Sequence, residues 1–383
     1  MKILVIAPHP FYQSRGTPIA VDLLIRVLSE RGDIVDVLTF HEGVDRFYGG
    51  CTIHRIQPFV RVKEIRPGLS GKKLYCDVHL FFQFISLVRK ERYDLVHAVE
   101  ESAFMALLVC RPISMPFIYD MDSSMTTQIV DKLPFLKPGR KLLEWMERLP
   151  MRYATAVVSV CDALAENAVR AGAKEVVVLK DISLLKLYGE NGDSVRLRDK
   201  LALPRKIAMY IGNLESYQGI DLMLESFALL RSETDDVALV VIGGIDTDIH
   251  KYQAMSVQLG IDGTVHFLGP RPVESLGHYM AQADILISPR IEGVNTPMKI
   301  YSYLDSGVPV LATDLPTHKQ VMNDKIAMLA PPEKIAFSQA MFKLIEDESL
   351  CASLADQARQ FIAREHSYAS FKSTIHRLYD SLE

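Results

Sequence analysis

The sequence predicts an α/β protein made of two Rossmann-like domains, each with a parallel sheet, facing across a cleft. Three observations predict it. The 383 residues exceed the usual size of a single domain. Short Val/Ile-rich runs recur along the chain, each followed by a segment of helical periodicity. The alternation comes in two series, separated by the polar, weakly periodic stretch SLLKLYGENGDSVRLRDKLALP (Ser183–Pro204). Apolar runs with no polar face belong to parallel strands covered by helices on both sides.

The first series opens with KILVIA (Lys2–Ala7) and the helical pattern TPIAVDLLIRVLSERG, with Thr17 expected as N-cap and Pro18 as the first helical residue. IVDVLTF (Ile34–Phe40), DLVHAV (Asp94–Val99), PFIYDM (Pro116–Met121) and AVVSV (Ala156–Val160) follow as strands. The second series runs through KIAMYIGNL (Lys206–Leu214), the helix GIDLMLESFALLRSE, VALVVIGG (Val237–Gly244), VHFLGP (Val265–Pro270), DILISPR (Asp284–Arg290) and PVLATD (Pro309–Asp314). The expected division is a first domain at 1–182, a linker at 183–204, a second domain at 205–364 and a terminal segment at 365–383. SYASFKSTIHRLYDSL in that last segment is amphipathic and reads as a helix returning to the first domain.

Composition narrows the function. A formal charge of -4, from 43 Lys plus Arg against 47 Asp plus Glu, speaks against a nucleic-acid binder with a global positive field. The five cysteines are scattered without metal-ligand spacing, so neither a disulfide framework nor a zinc site is expected, and a reducing cytoplasm fits. MKILVIAP reads as a first strand and not as a signal peptide, and no apolar run reaches the roughly 18 residues of a membrane span. The expected location is cytoplasmic.

Ligands in open α/β sheets sit at the carboxyl ends of strands. After the first strand, Arg15, Gly16 and Thr17 precede a helix and suit an anion, although an ordinary capped helix reads the same way. A G-x-G-x-x-G fingerprint is missing there, which argues against NAD. His97, Glu100, Glu101, Asp120, Asp122, Ser123 and Ser124 follow later strands; they fit sugar hydroxyls or a base, and equally helix caps. In the second series, Gly212 and Gly219 bracket a loop that opens a helix, and Gly243-Gly244 and Leu268-Gly269-Pro270 end further strands. Such glycines let a backbone approach phosphate or a base edge. The stretch SPRIEGVNTPMKIYSYLDSGVPVLATD crowds Arg290, Glu292 and Lys299 around a turn containing Gly293 and Asn295-Thr296-Pro297. Cations for a diphosphate, a carboxylate for sugar hydroxyls, free amides and Pro297 as first helical residue together describe a nucleotide-sugar site.

These motifs, in this order and spacing, resemble the retaining GT-B-fold glycosyltransferases of family 4. The resemblance spans the chain and is strongest over YIGNLESYQGIDLMLESFALL and SPRIEGVNTPMKIYSYLDSGVPVLATD. It implies a nucleoside-diphosphate sugar as co-substrate in the C-terminal domain, an acceptor in the N-terminal domain, and transfer without a bound metal or other cofactor. It implies that Glu292 contacts the donor sugar near its reacting carbon, that amides from Gly293 to Thr296 hold hydroxyls or phosphate, that Phe267 to Gly269 lie near the base, and that Gly16 lies under the donor phosphates. Acceptor contacts would then come from residues such as His97, Glu100 and Asp120.

Three departures accompany the resemblance. Asn213 and Gln218 stand where the family often has an Arg and a Lys clamping the diphosphate, which leaves Arg290, Lys299 and Arg15 to replace them. The second Glu of the family motif is missing, with Ile300 or Ser302 in its place, and Asp122 stands where many members have a His. Retention implies front-face transfer in which the leaving diphosphate helps deprotonate the acceptor hydroxyl, as in cell-envelope glycan, polysaccharide or glycolipid synthesis. The rival readings are a nucleotide-sugar epimerase and a non-catalytic scaffold of the same fold.

Two stretches, Phe59–Tyr75 and Lys132–Arg152, mix cations with apolar residues and fit peripheral contact with an anionic membrane bearing a lipid-linked acceptor. Glu64, Glu144 and Glu147 dilute that charge, and Leu142, Met146 and Leu149 at helical spacing fit equally well a core that buries Trp145.

Overall fold

The computed structural model describes residues 1–383 apart from 14, 66, 67, 69, 189–195, 202, 294 and 295, and apart from the side chains of 131, 186 and 188. Contacts divide the chain into two units, Met1–Lys180 with Phe371–Glu383, and Asp181–Ser370. Each unit is a parallel sheet wrapped by helices. Parts of the expected linker, residues 189–195 and 202, lie outside the described residues.

The first unit contains β1 (Lys2–Ala7), α1 (Gly16–Arg31), β2 (Ile34–Thr39), β3 (Cys51–Arg55), α2 (Gly71–Lys90), β4 (Leu95–Val99), α3 (Ser102–Cys110) and β5 (Phe117–Met121). It continues with α4 (Met125–Lys132), α5 (Arg140–Tyr153), β6 (Ala156–Ser159), α6 (Asp162–Ala171) and β7 (Val176–Val178). Strand order is β3-β2-β1-β4-β5-β6-β7, with every described pairing parallel. The order reverses between β1 and β4, whose carboxyl ends therefore open a crevice.

The second unit contains α7 (Leu185–Tyr188), α8 (Leu197–Leu201), β8 (Lys206–Ile211), α9 (Ile220–Arg231), β9 (Val237–Ile242), α10 (Asp246–Gln258), β10 (Val265–Gly269) and α11 (Leu276–Met280). β11 (Ile285–Ser288), α12 (Lys299–Asp305), β12 (Val310–Thr313), α13 (Pro316–Lys319), β13 (Met328–Ala330), α14 (Lys334–Glu346) and α15 (Glu348–Glu365) follow. Its order, β10-β9-β8-β11-β12-β13, is again parallel and reverses between β8 and β11. The apolar residues on its two faces form separate cores, one around Phe227, Val241 and Phe337, the other around Met209, Ile300 and Tyr303. Burying such side chains is worth about 1.5–3 kcal/mol each, which is why a strand flanked on both faces reads as an unbroken apolar run.

The last helix, α16 (Tyr368–Asp380), joins the first unit from Phe371 onward. Arg31, at the end of α1, binds Asp380 at 2.8 Å, and the Tyr379 hydroxyl lies 2.8 Å from His97 Nδ1. The returning helix read from the sequence is thus fastened to the first sheet.

Two local expectations are corrected. α1 begins at Gly16 with Arg15 as its N-cap and no side-chain cap, so Thr17 lies inside the first turn. α12 begins at Lys299, not at Pro297; the preceding turn closes by Ile300 N–H donating to the Pro297 carbonyl at 3.0 Å.

On the outer surface of the first unit, α2, α3, α5 and α6 all bury their inner sides in one core with β1, β4 and β5. These helices therefore form one layer on one face of the sheet. Trp145 on α5 is 57% exposed, with Leu142 and Met146 beside it also exposed. The core reading of this stripe is thereby overturned. Glu147 is the buried member: its carboxylate takes the Met125 amide at 2.7 Å and the Ser124 hydroxyl at 3.1 Å, so it caps α4 and does not dilute the surface charge.

Candidate active site

The second unit's crevice is built by the loops after β8 and β11. Gly219, at φ +70°, brings the first loop against the second, because a Cβ there would collide with the Pro289 carbonyl oxygen. The Tyr217 carbonyl accepts the Ile291 amide at 3.0 Å and the Glu292 amide at 3.4 Å, which docks the Arg290–Glu292 turn on the β8 loop. The Arg290 guanidinium carbon lies 5.3 Å from the Tyr217 ring centroid, and its Nε donates to the Glu292 carbonyl at 2.5 Å. Gly293, at φ +131°, leaves room for that guanidinium; a Cβ would overlap it.

Lys299 projects into the same crevice from the start of α12. Its ammonium lies 3.9 Å from the Tyr210 ring centroid and 3.4 Å from Gln218 Oε1. Among the described residues no carboxylate pairs with it. Burial, and then the neighbouring Arg290, hold the Lys299 ammonium well below the usual lysine range, and burial also lowers Arg290. Two adjacent cations removed from water are costly unless an anion completes the site.

The other expected donor residues divide into those at the crevice and those with structural partners. Asn213 donates to the Tyr217 hydroxyl at 3.2 Å, and Gln218 is buried against Lys299. Glu292 is exposed on the turn. The amides of Gly212 and Gly243 continue the sheet ladder to Ile242 and Gly269, both at 2.9 Å, so these glycines offer room and not amides. Gly244 follows at the same edge. Phe267 and Leu268 pack toward opposite cores at a register shift in β10 that ends at Gly269. Thr296 donates to the Thr317 carbonyl at 2.8 Å, and Pro297 is half-buried beside it. Ser302 accepts the Leu184 amide at 3.2 Å in a buried contact. Asn295 lies outside the described residues.

Sequence reasoning missed Tyr210, Tyr217 and His318. The two tyrosines lie on the quoted motif YIGNLESYQG, where aromatic residues near glycines were the available signal. His318 is buried between Ser288 and Thr313. Its only sequence signal was a lone histidine four residues after a strand-end Asp.

In the first unit, His97 does not face the crevice. It is buried, with Nε2 3.1 Å from Asp120 Oδ2 and Nδ1 held by Tyr379. Glu100 does lie at the crevice end of β4, in a left-handed conformation (φ +53°) that is costly for a residue with a side chain. Ser123 donates to its carboxyl at 3.0 Å, and burial pushes that carboxyl up to about 7. Asp120 and Asp122 stand at the end of β5. Lys73 on α2 pairs with Glu101 beside them. Arg15 and Gly16 are exposed at the start of α1.

Two parallel-sheet α/β units of this topology define a GT-B glycosyltransferase fold. The family model for glycosyl transferases group 1 matches residues 195–361, and that for the glycosyl transferase 4-like domain matches residues 15–180. The chain belongs to the group 1 glycosyltransferases of GT-B fold. It is 27% identical over 206 residues to D-inositol 3-phosphate glycosyltransferase of Corynebacterium jeikeium, covering 51% of this chain and 48% of that protein. It is 25% identical over 200 residues to phosphatidyl-myo-inositol mannosyltransferase of Mycobacterium leprae, covering 51% and 52%. The chain thus spans about half the length of these curated relatives. Among solved structures, sucrose-phosphate synthase from Thermosynechococcus elongatus superposes with a TM-score of 0.78 at 18% identity over 100% of this chain and 98% of that one. Anabaena HepE in complex with UDP-glucose gives 0.75 at 17% identity, with both chains covered in full.

Proposed function

We propose that the protein transfers a glycosyl group, with retention, from a nucleoside-diphosphate sugar to a hydroxyl acceptor. The observation that carries this reading is the convergence of Arg290 and Lys299 at the β8–β11 crevice. A diphosphate would give the Lys299 ammonium the counter-charge that no carboxylate among the described residues supplies, with Arg290 beside it. The departing phosphate is where negative charge grows during transfer, so preorganised cations there lower the barrier most. Glu292 would hold sugar hydroxyls, and the reading needs no metal because the side-chain cations neutralise the leaving group. UDP-glucose, present in the HepE structure, is a reasonable first donor to try.

The test is a thermal-shift titration with UDP, GDP, ADP and NAD on the wild type, Glu292→Ala and Arg290→Ala. A ligand at one hundred times its dissociation constant adds about 2.7 kcal/mol of stability. Stabilisation by one nucleoside diphosphate, lost in Arg290→Ala, supports the reading. Indifference of the wild type to all of them and to intact nucleotide sugars would sink it.

A lipid-linked acceptor is favoured by the outer helical layer of the first unit. Phe135, 73% exposed, precedes the bare stripe of Leu142, Trp145 and Met146, and Lys137, Arg140, Lys141 and Arg148 are exposed around it. Phe59, 95% exposed, and Leu74, Val78 and Phe82 on α2 extend the apolar surface. A Cβ on Gly68 would lie 3.8 Å from Lys132 Nζ, so the two basic-apolar stretches adjoin. Apolar side chains ringed by cations suit the interface of an anionic bilayer. No helix among the described residues is long and apolar enough to cross one.

A further inference from the structure

The loop that carries Arg290 and Glu292 is fastened at both ends to the corner between β12 and α13. At its start, the Thr313 hydroxyl lies 2.5 Å from the Arg290 carbonyl oxygen. At its end, Thr296 donates to the Thr317 carbonyl at 2.8 Å. His318 sits at the centre of this corner and is wholly buried. Its Nδ1 is 3.0 Å from Thr313 Oγ1 and 2.9 Å from the Thr313 carbonyl, while its Nε2 is 2.9 Å from Ser288 Oγ.

The direction of every bond in this chain follows from one fixed partner. A carbonyl only accepts, so the single Thr313 hydroxyl proton goes to Arg290. Nδ1 must then be the donor toward Thr313. A neutral imidazole has one N–H, so Nε2 is bare and the Ser288 hydroxyl donates to it. Ser288 ends β11 and Thr313 ends β12, so the imidazole ties two neighbouring strand ends to the backbone of the cation between them.

We propose that His318 and Thr313 are positioning residues of the glycosyl-transfer site: a one-way chain of hydrogen bonds from Ser288 through His318 and Thr313 holds the Arg290 carbonyl, and with it the guanidinium, in place for a diphosphate. The proposal rests on the donor reading above. Burial supports the required neutral form by holding His318 down at about 4, with the charges of Lys299 and Arg290 acting in the same direction. Neither residue touches the substrate in this scheme; both act through Arg290.

The deciding comparison is Thr313→Val, which keeps the shape and removes the hydroxyl, against Thr313→Ser, which restores it. In the full chain without ligand, hydrogen exchange at the Ile291 and Glu292 amides reports the loop directly, since both bond to Tyr217. Thr313→Val should speed that exchange and weaken UDP binding, each roughly tenfold, with kcat changed less than the donor KM. Thr313→Ser should stay near the wild type in both. Thr313→Val matching Thr313→Ser in both readouts overturns the proposal. If Thr313→Val does not fold, Ser288→Ala, which removes the donor to Nε2, should move both readouts the same way, and no movement there overturns it too. Exchange is read without ligand, so a wild type that ignores UDP would count against the donor reading while the exchange comparison still decides the role of Thr313.

Discussion

The Lys299 ammonium rests 3.9 Å above the centroid of the Tyr210 ring, a buried aromatic on the central strand of the second sheet. The ring face is the electronegative side of the aromatic quadrupole and stabilises a nearby cation by about 0.5–2 kcal/mol. That is too little to replace water around an ammonium that burial and Arg290 already disfavour. Tyr210 therefore holds Lys299 in position without satisfying it, which leaves the charge available to an anion.

Diphosphate binding should draw a proton onto Lys299, because the anion favours the ammonium. Affinity for UDP or GDP, measured by calorimetry, is therefore expected to fall as pH rises, and to do so below the range of an ordinary lysine. Lys299→Met should weaken binding by one charge-assisted contact, about 1.5–3 kcal/mol, and abolish the pH dependence. Arg290→Ala should weaken it by a similar amount and Asn213→Ala by much less, since Asn213 is spent on Tyr217. Equal small losses in all three variants would remove the cations from the donor site.

Two groups, Glu100 and His318, should give opposite slopes of stability against pH. Glu100 is raised to about 7 by burial, so the folded chain holds a proton that the unfolded chain releases; its contribution is present at low pH and lost as pH rises through 7. His318 is lowered to about 4, so its contribution is present above the unfolded histidine value and lost as pH falls toward 4. Urea unfolding from pH 4 to 8 should show Glu100→Gln losing the decline toward neutral pH, and His318→Asn losing the rise from acid pH. A Glu100→Gln profile parallel to the wild type would show that this carboxyl titrates normally.

Tyr379→Phe removes the hydroxyl that lies 2.8 Å from His97 Nδ1 and leaves a buried ring nitrogen without that partner. The expected loss is about 1–3 kcal/mol in urea unfolding. UDP binding should not change, because the proposed donor crevice belongs to the other unit. An unchanged urea midpoint would mean that the helix is held by its apolar face, Phe371, Ile375 and Leu378, and by ion pairs such as Arg31–Asp380, without help from this hydroxyl.

The chain contains one tryptophan, Trp145, so its fluorescence is a built-in probe of the proposed bilayer face. Vesicles containing phosphatidylglycerol should shift the emission to the blue, and neutral phosphatidylcholine vesicles should not. Reversing Lys137, Arg140 and Lys141 to Glu should abolish the shift without lowering stability, since all three are exposed. Emission indifferent to lipid charge would turn the stripe toward a protein partner.

Sequence by itself determined the strands and their order of appearance. Lys2–Ala7 and the runs beginning at Ile34, Lys206 and Val237 stand where their apolar patterns put them, because a strand covered on both faces must be apolar throughout. Three of the four edge strands were less legible: β3, β7 and β13 are short and incompletely buried, so their residues carry a weaker pattern, whereas the edge strand β10 was read as VHFLGP. The cluster of Arg290, Glu292 and Lys299 was legible because charge at a strand end is unusual enough to need a reason.

Only the tertiary structure decided which polar groups are spent on the fold. His97, Ser302, Thr296 and Glu147 look in sequence much like Glu100 or Lys299, yet each is consumed by a partner: Tyr379, Leu184, Thr317 and the start of α4. Those partners lie 282, 118, 21 and 22 positions away. Local periodicity reports whether a side chain is buried. Whether its hydrogen bonds are satisfied once buried depends on which distant segment packs against it, and that is set by the sheet order and not by the neighbouring residues.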